Sequence, residues 1–143
     1  MTEHEKIRVL IADDFDMLRE VIRVLIDESE DIEVVGEAVH LETALEEARR
    51  LQPDVILMND YLPPTDSARA TELFRKLNIP SAILIISMQV ETKLIEQSLA
   101  NGANGFMYKS EMGELLTGAI HKVHNNEQFL SPRAEAALTR KRD

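Results

Sequence analysis

Residues 7–14 read IRVLIADD, a run that is apolar apart from Arg8 and ends in two adjacent carboxylates. A continuous apolar run of this length marks a strand buried on both faces, as in a parallel sheet. Outward from it, short β-rich runs alternate with amphipathic segments. Met17, Leu18, Val21, Ile22, Leu25 and Ile26 place one apolar stripe on a helix over 16–28. Ile32–Gly36 is the next strand, and Leu41, Ala44, Leu45, Ala48 and Leu51 define a helix over 41–51 that Pro53 stops. Val55–Met58 is wholly apolar and suits a central strand, and Pro63-Pro64 marks a loop. A helix over 66–77, a buried strand over Ser81–Ser87, a helix over 91–101 capped at Asn101-Gly102, a short strand at Gly105–Tyr108 and a helix over 112–125 follow.

Five strands alternating with five helices predict an α/β fold: a flavodoxin-like, doubly wound (βα)5 domain, with a five-stranded parallel sheet and helices on both faces. The functional crevice of such a sheet lies at the carboxyl ends of its strands.

Composition narrows the function classes. At 44% hydrophobic and 29% charged, the chain belongs with water-soluble globular proteins. No apolar run approaches the roughly 20 residues that span a bilayer, and the polar start through Arg8 lacks a signal core, so a cytoplasmic protein without membrane contact is expected. With no cysteine, disulfides, thiolate catalysis and cysteine zinc sites are excluded. His4, His40, His121 and His124 are scattered; only His121 and His124 are close in sequence, and they read as surface residues of a late helix rather than metal ligands. A net charge of −10 repels phosphate backbones, so this domain itself is not expected to bind nucleic acid. The basic end at Arg140, Lys141 and Arg142 reads as a solvated tail.

The strand ends carry Asp13-Asp14, Asn59-Asp60, Ser87 and Lys109. Singly, each has an ordinary reading: Asp13 or Asp14 as a helix cap, Ser87 as a turn residue, Lys109 as a solvated cation. Together they are an acidic pair, a carboxamide, a hydroxyl and an ammonium on one crevice. Oxygen ligands of that kind suit Mg²⁺, and the hydroxyl and ammonium suit phosphoryl oxygens.

IRVLIADD (7–14), DIEVVGEA (31–38), PDVILM (53–58), ILIISM (83–88), NGANGFMYKS (101–110) and NEQFLSP (126–132) give the chain its resemblance to the response-regulator receiver domains of bacterial two-component systems, LuxR/NarL (FixJ-like) subtype. The resemblance covers residues 6 to about 133. It implies phosphorelay signal transduction and control of transcription, not an enzyme. It implies that Asp13 and Asp14 hold Mg²⁺, joined by position 59 and the backbone carbonyl of Tyr61. Ser87 is then the switch hydroxyl, Lys109 the lysine that pairs with the phosphoryl group, Phe106 the aromatic that changes rotamer, and Pro63 the proline of the loop. Expected partners are a sensor histidine kinase or another regulatory protein, with a possible homodimer through helices 16–28 and 112–125. DNA would be reached only through an output domain. Residues 1–127 read as the receiver domain and 128–143 as a linker or the start of a C-terminal helix, with no output domain present.

The acceptor aspartate of such domains directly follows the apolar strand and stands four residues before the loop proline. Both spacings select Asn59. The loop also departs from the pattern, with Pro64 and Ser67 where relatives carry glycine, which predicts a stiffer loop. A carboxamide is a poor nucleophile, and losing one negative charge of three weakens Mg²⁺ binding. Three accounts compete: a natural receiver that signals without phosphate, a substitution made to trap the unphosphorylated state, or Asp60 as the acceptor. Alternation along the strand aims Asp60 away from Asp13 and Asp14 unless the strand has ended, and a single-site change would not also remove two loop glycines. Besides the regulatory interaction module, the readings are a working phosphoacceptor (Asp60, or an aspartate at 59 in the native gene) and a small flavodoxin-like enzyme. Against the enzyme, the first turn (ADDFDM) has no glycine-rich phosphate loop.

Overall fold

In a computed structural model, residues 5–88 and 91–142 are described; His4 lies outside them, as do the side chains of Lys141 and Arg142. The chain runs β1 (Ile7–Ala12), α1 (Asp16–Asp27), β2 (Ile32–Ala38), α2 (Leu41–Leu51), β3 (Val55–Asn59), β4 (Tyr61–Leu62), β5 (Thr65–Asp66), α3 (Ser67–Lys76), β6 (Ala82–Ser87), α4 (Thr92–Ala100), β7 (Gly105–Tyr108), a 3-10 turn (Lys109–Glu111), α5 (Met112–His124), β8 (Phe129–Leu130) and α6 (Pro132–Arg142). The main sheet has the order β2-β1-β3-β6-β7-β8, and every pair in it is parallel. The α/β class and the helices on both faces are as the sequence implied. The sheet has six strands rather than five, because Phe129 and Leu130 pair with Gly105 and Phe106.

Alternate strand residues feed two apolar layers. Ile7, Val9, Ile11, Val55, Leu57, Leu84, Ile86 and Met107 pack under α1 and α5. Leu10, Ala12, Ile56, Met58, Ile83, Ile85, Phe106 and Tyr108 pack under α2, α3, α4 and α6. β3 is buried at every residue, because it is covered on both faces and flanked by β1 and β6. Gly105 permits the sixth strand. A Cβ there would come within 3.0 Å of the Phe129 carbonyl oxygen and 2.8 Å of Leu84.

The stretch read as a loop after β3 is a two-residue antiparallel ribbon, β4 with β5, turning through a cis Pro63-Pro64 bond. Asp66 caps α3 by accepting from the Arg69 amide at 2.9 Å. Among the histidines, His40 caps α2 and His121 Nε2 lies 3.0 Å from Asp31 Oδ2.

Arg75, in the last turn of α3, ties three connections together. Its guanidinium donates to the carbonyls of Ile79, Ser81 and Gly102 and to Asn104 Oδ1, over 2.7–3.2 Å. Burial pulls its pKa below the ordinary value. The fork still holds its charge, because acceptors surround it. Arg75→Met would leave three carbonyls without this donor and Asn104 Oδ1 with the Ile83 amide alone, and a loss of about 2–3 kcal/mol is expected in urea unfolding. Arg75→Lys should recover less than half of that loss, since an ammonium cannot reach all four oxygens.

Candidate functional site

Strand register brings the predicted residues to one end of the sheet. Ala12 pairs with Met58, so Asp13 follows level with Asn59. Asn59 pairs with Ile86, placing Ser87 one step beyond, and Ser87 pairs with Tyr108, placing Lys109 one step beyond that. Asp13, Asn59 and Ser87 are buried, Lys109 is half-buried and Asp14 is exposed.

Asp13 is not a helix cap. The N-cap of α1 is Phe15, with no side-chain cap bond, and Asp13 Oδ1 instead accepts from the Phe15 amide at 2.8 Å. Burial pushes the Asp13 carboxyl above its ordinary value. The Phe15 amide, Lys109 and Arg19 oppose this, while neighbouring Asp14 adds to it. Arg19 Nη1 donates to the Asp13 carbonyl at 2.7 Å, and its Nε donates to Glu37 Oε1 at 2.8 Å. Asp16 also pairs with Arg19, and Arg23 with Glu37. This network went unread in the sequence; an arginine one turn into α1, facing a glutamate on β2, was its only sign.

Asn59 Nδ2 donates to the Tyr61 carbonyl at 2.9 Å. Its Oδ1 is buried, and among the described residues nothing donates to it. Asp60 follows the end of β3, and its Oδ2 accepts from the Ser87 hydroxyl at 2.7 Å. The carboxylate thus engages the hydroxyl proposed as the switch, a contact that strand alternation did not suggest. Phe106 is fully buried and meets Tyr108 edge-on, with ring centroids 6.0 Å apart.

The crevice fits a hard cation only in part. The Asp13 and Asp14 carboxylates and the orphaned Asn59 Oδ1 are the oxygen donors that Mg²⁺ prefers. The Tyr61 carbonyl, however, already receives the Asn59 amide. Among the described residues no group of three or more histidine, cysteine, aspartate or glutamate side chains is set to hold a metal.

A parallel doubly wound sheet with an acidic pair, a carboxamide, a hydroxyl and a lysine at the ends of four strands is the arrangement of a signalling receiver, not of a conventional enzyme. The chain belongs to the response regulator receiver domain family, whose profile matches residues 9–121. It is 31% identical over 131 residues to the nitrate/nitrite response regulator protein NarL of Escherichia coli (strain K12), covering 92% of this chain and 61% of that one. It is 29% identical over 133 residues to the transcriptional regulatory protein LnrK of Bacillus subtilis (strain 168), covering 92% and 60%. The crystal structure of a LuxR-family two-component response regulator from Aurantimonas sp. SI85-9A1 superposes with a TM-score of 0.91 at 27% identity, covering 96% of this chain and 99% of that one. The chain spans about three fifths of the length of these curated relatives.

Replacing Asp13 tests the electrostatics. A carboxyl whose pKa is raised in the fold costs stability as pH rises through the carboxylate range, because the fold disfavours its charged form. Asp13→Asn keeps the acceptor for Phe15 and removes the charge. The expected result is a melting temperature a few degrees higher at neutral pH, with no difference at pH values low enough to protonate Asp13 in both states; scanning calorimetry across that range checks it.

Proposed function

We propose that this chain is a receiver with Asn59 at the phosphoacceptor position, working as a regulatory interaction module that does not take a phosphoryl group. One observation carries the reading. The Asn59 carboxamide turns its nitrogen to the Tyr61 carbonyl, leaving an amide where the chemistry needs a nucleophilic carboxylate. Asp13, Asp14 and the Asn59 oxygen would hold Mg²⁺ weakly, and the metal would supply positive charge facing phosphoryl oxygens. Lys109, close enough to act on Asp13, offsets part of the cost of burying that carboxylate. Ser87, held by Asp60, has an anionic acceptor inside the chain, in the role that a phosphoryl oxygen would take.

On this reading the protein regulates transcription through a LuxR-type output domain and answers a sensor histidine kinase or another regulatory protein. It works in the cytoplasm, and DNA is reached only through that output domain. The α1 surface supports a homodimer: Met17, Val21 and Val24 are exposed at helical spacing, next to exposed Phe15. Among the described residues no helix is long and apolar enough to cross a membrane.

Intact mass after incubation with Mg²⁺ and a small-molecule phosphodonor tests the acceptor. A phosphoryl adduct is expected on Asn59→Asp and none on the unaltered chain. An adduct on the unaltered chain that disappears in Asp60→Asn would replace this reading with Asp60 as the acceptor. For the dimer, sedimentation velocity should show weaker self-association in Val21→Asp, since a charge in the middle of the stripe opposes its burial.

A further inference from the structure

A cleft of about 600 Å³ opens at the opposite end of the sheet from Asp13 and Asn59. Its walls are the last turn of α2 and the two connections that enter β3 and β6. Those strands pair from Val55 and Ala82 onward, so the connections run side by side. Ser81 Oγ donates to the Pro53 carbonyl at 2.7 Å and ties them together beneath the surface. Arg8 Nη1 holds the Leu51 and Gln52 carbonyls at 2.7 and 3.0 Å, and Arg75 holds those of Ile79 and Ser81. The cleft is therefore preformed, at a volume that suits a small ligand.

The backbone around it is one-sided. The amides of Gln52, Asp54, Leu77, Asn78 and Ile79 all donate within the chain, and Pro53 and Pro80 have no amide hydrogen. What remains for a ligand is carbonyl oxygen, at the negative ends of two helix dipoles. Asp54 adds to that sign. One of its oxygens accepts from the Arg8 amide at 2.8 Å, and the other has no donor among the described residues. The cleft's opposite charge is Arg49, which is exposed and forms no ion pair among the described residues, while its neighbour Arg50 pairs with Glu47.

Two carboxamides and an apolar strip complete the lining. Gln52 and Asn78 sit at φ 50° and 59°, a conformation in which glycine is the usual residue at a helix end. Each keeps an exposed side chain there despite the steric cost. Leu77 and Pro80 add exposed apolar surface.

A carboxylate and a guanidinium that line one cleft without pairing favour a ligand bearing both charges. A simple cation or a simple anion would gain from one of them and be repelled by the other. We infer that this cleft binds a free α-amino acid with an aliphatic side chain. Its ammonium meets Asp54 and the helix-end carbonyls, its carboxylate meets Arg49, and its side chain lies on Leu77 and Pro80. Such a ligand bridges the ends of α2 and α3 at the foot of β3, the strand whose far end is Asn59. It would give a receiver that takes no phosphoryl group a chemical input of its own. The inference stands apart from the reading of Asn59, because no crevice residue lines the cleft.

Nitrogen–proton correlation spectra of the full chain test it. L-leucine should produce saturable shifts in the amide signals of Gln52, Asp54 and Asn78. Isopentylamine, which lacks the carboxylate, and isocaproate, which lacks the ammonium, should each bind about tenfold more weakly, because each loses one charge-assisted contact. Arg49→Gln, a change at an exposed side chain, should weaken L-leucine by about the same factor and leave isopentylamine unchanged. Asp54→Asn, which keeps an acceptor for the Arg8 amide, should weaken both. Absence of saturable shifts with L-leucine overturns the inference, as does binding of either analogue as tight as that of L-leucine. Undiminished binding of L-leucine to Arg49→Gln also overturns it, and that variant decides alone if Asp54→Asn does not fold.

Discussion

Burial of β3 on both faces is the constraint from which the rest is measured. Its residues have no polar side chain until the last, so the strand can lie only at the centre of a sheet covered above and below. Parallel pairing on either side then fixes where β1 and β6 end, and both end beside Asn59. The crevice is thus a product of register. Asp13 and Ser87 are held by backbone ladders rather than by contacts with each other. Their side chains arrive prepositioned, and the crevice needs little of its own to hold them in place.

Inside it, the electrostatics are set by burial more than by charge pairing. Asp13 is held against desolvation by one amide and by the fields of Lys109 and Arg19. Asn59 adds no charge, and Asp60 spends its carboxylate on Ser87. An aspartate at position 59 would add a second buried anion beside Asp13 and raise the cost of burying charge in the crevice. The carboxamide relieves that cost. It leaves one oxygen without a donor, a smaller penalty than a second buried charge.

The fold was legible in the sequence because its strands are continuous apolar runs and its helices carry single stripes. IRVLIA, VILM and AILIIS could hardly be anything but buried strands, and Asn101-Gly102 marked the end of a helix that stops at Ala100. The helices begin and end within a residue or so of the expected positions, because Pro53, Pro80 and the glycine turn punctuate them. The site residues could be named because strand ends are countable. What they touch could not. Asp60 meets Ser87 through the bend after β3, and alternation says nothing about a residue outside the strand. The β4–β5 ribbon is two residues on each side, too short to show a period. β8 is equally short, and α6 has only a thin stripe of two alanines and a leucine, so neither announced that it packs on the domain.

Gly105 links those two late elements to the middle of the chain. Its missing side chain is what lets the Phe129 carbonyl approach, and β8 in turn sets where α6 begins. A side chain at 105 is therefore felt some 25 positions later: it crowds the Phe129 carbonyl at 3.0 Å, and the last strand, with the helix behind it, must give way by a few tenths of an ångström. The register of the chain's end is set by an atom that its middle lacks.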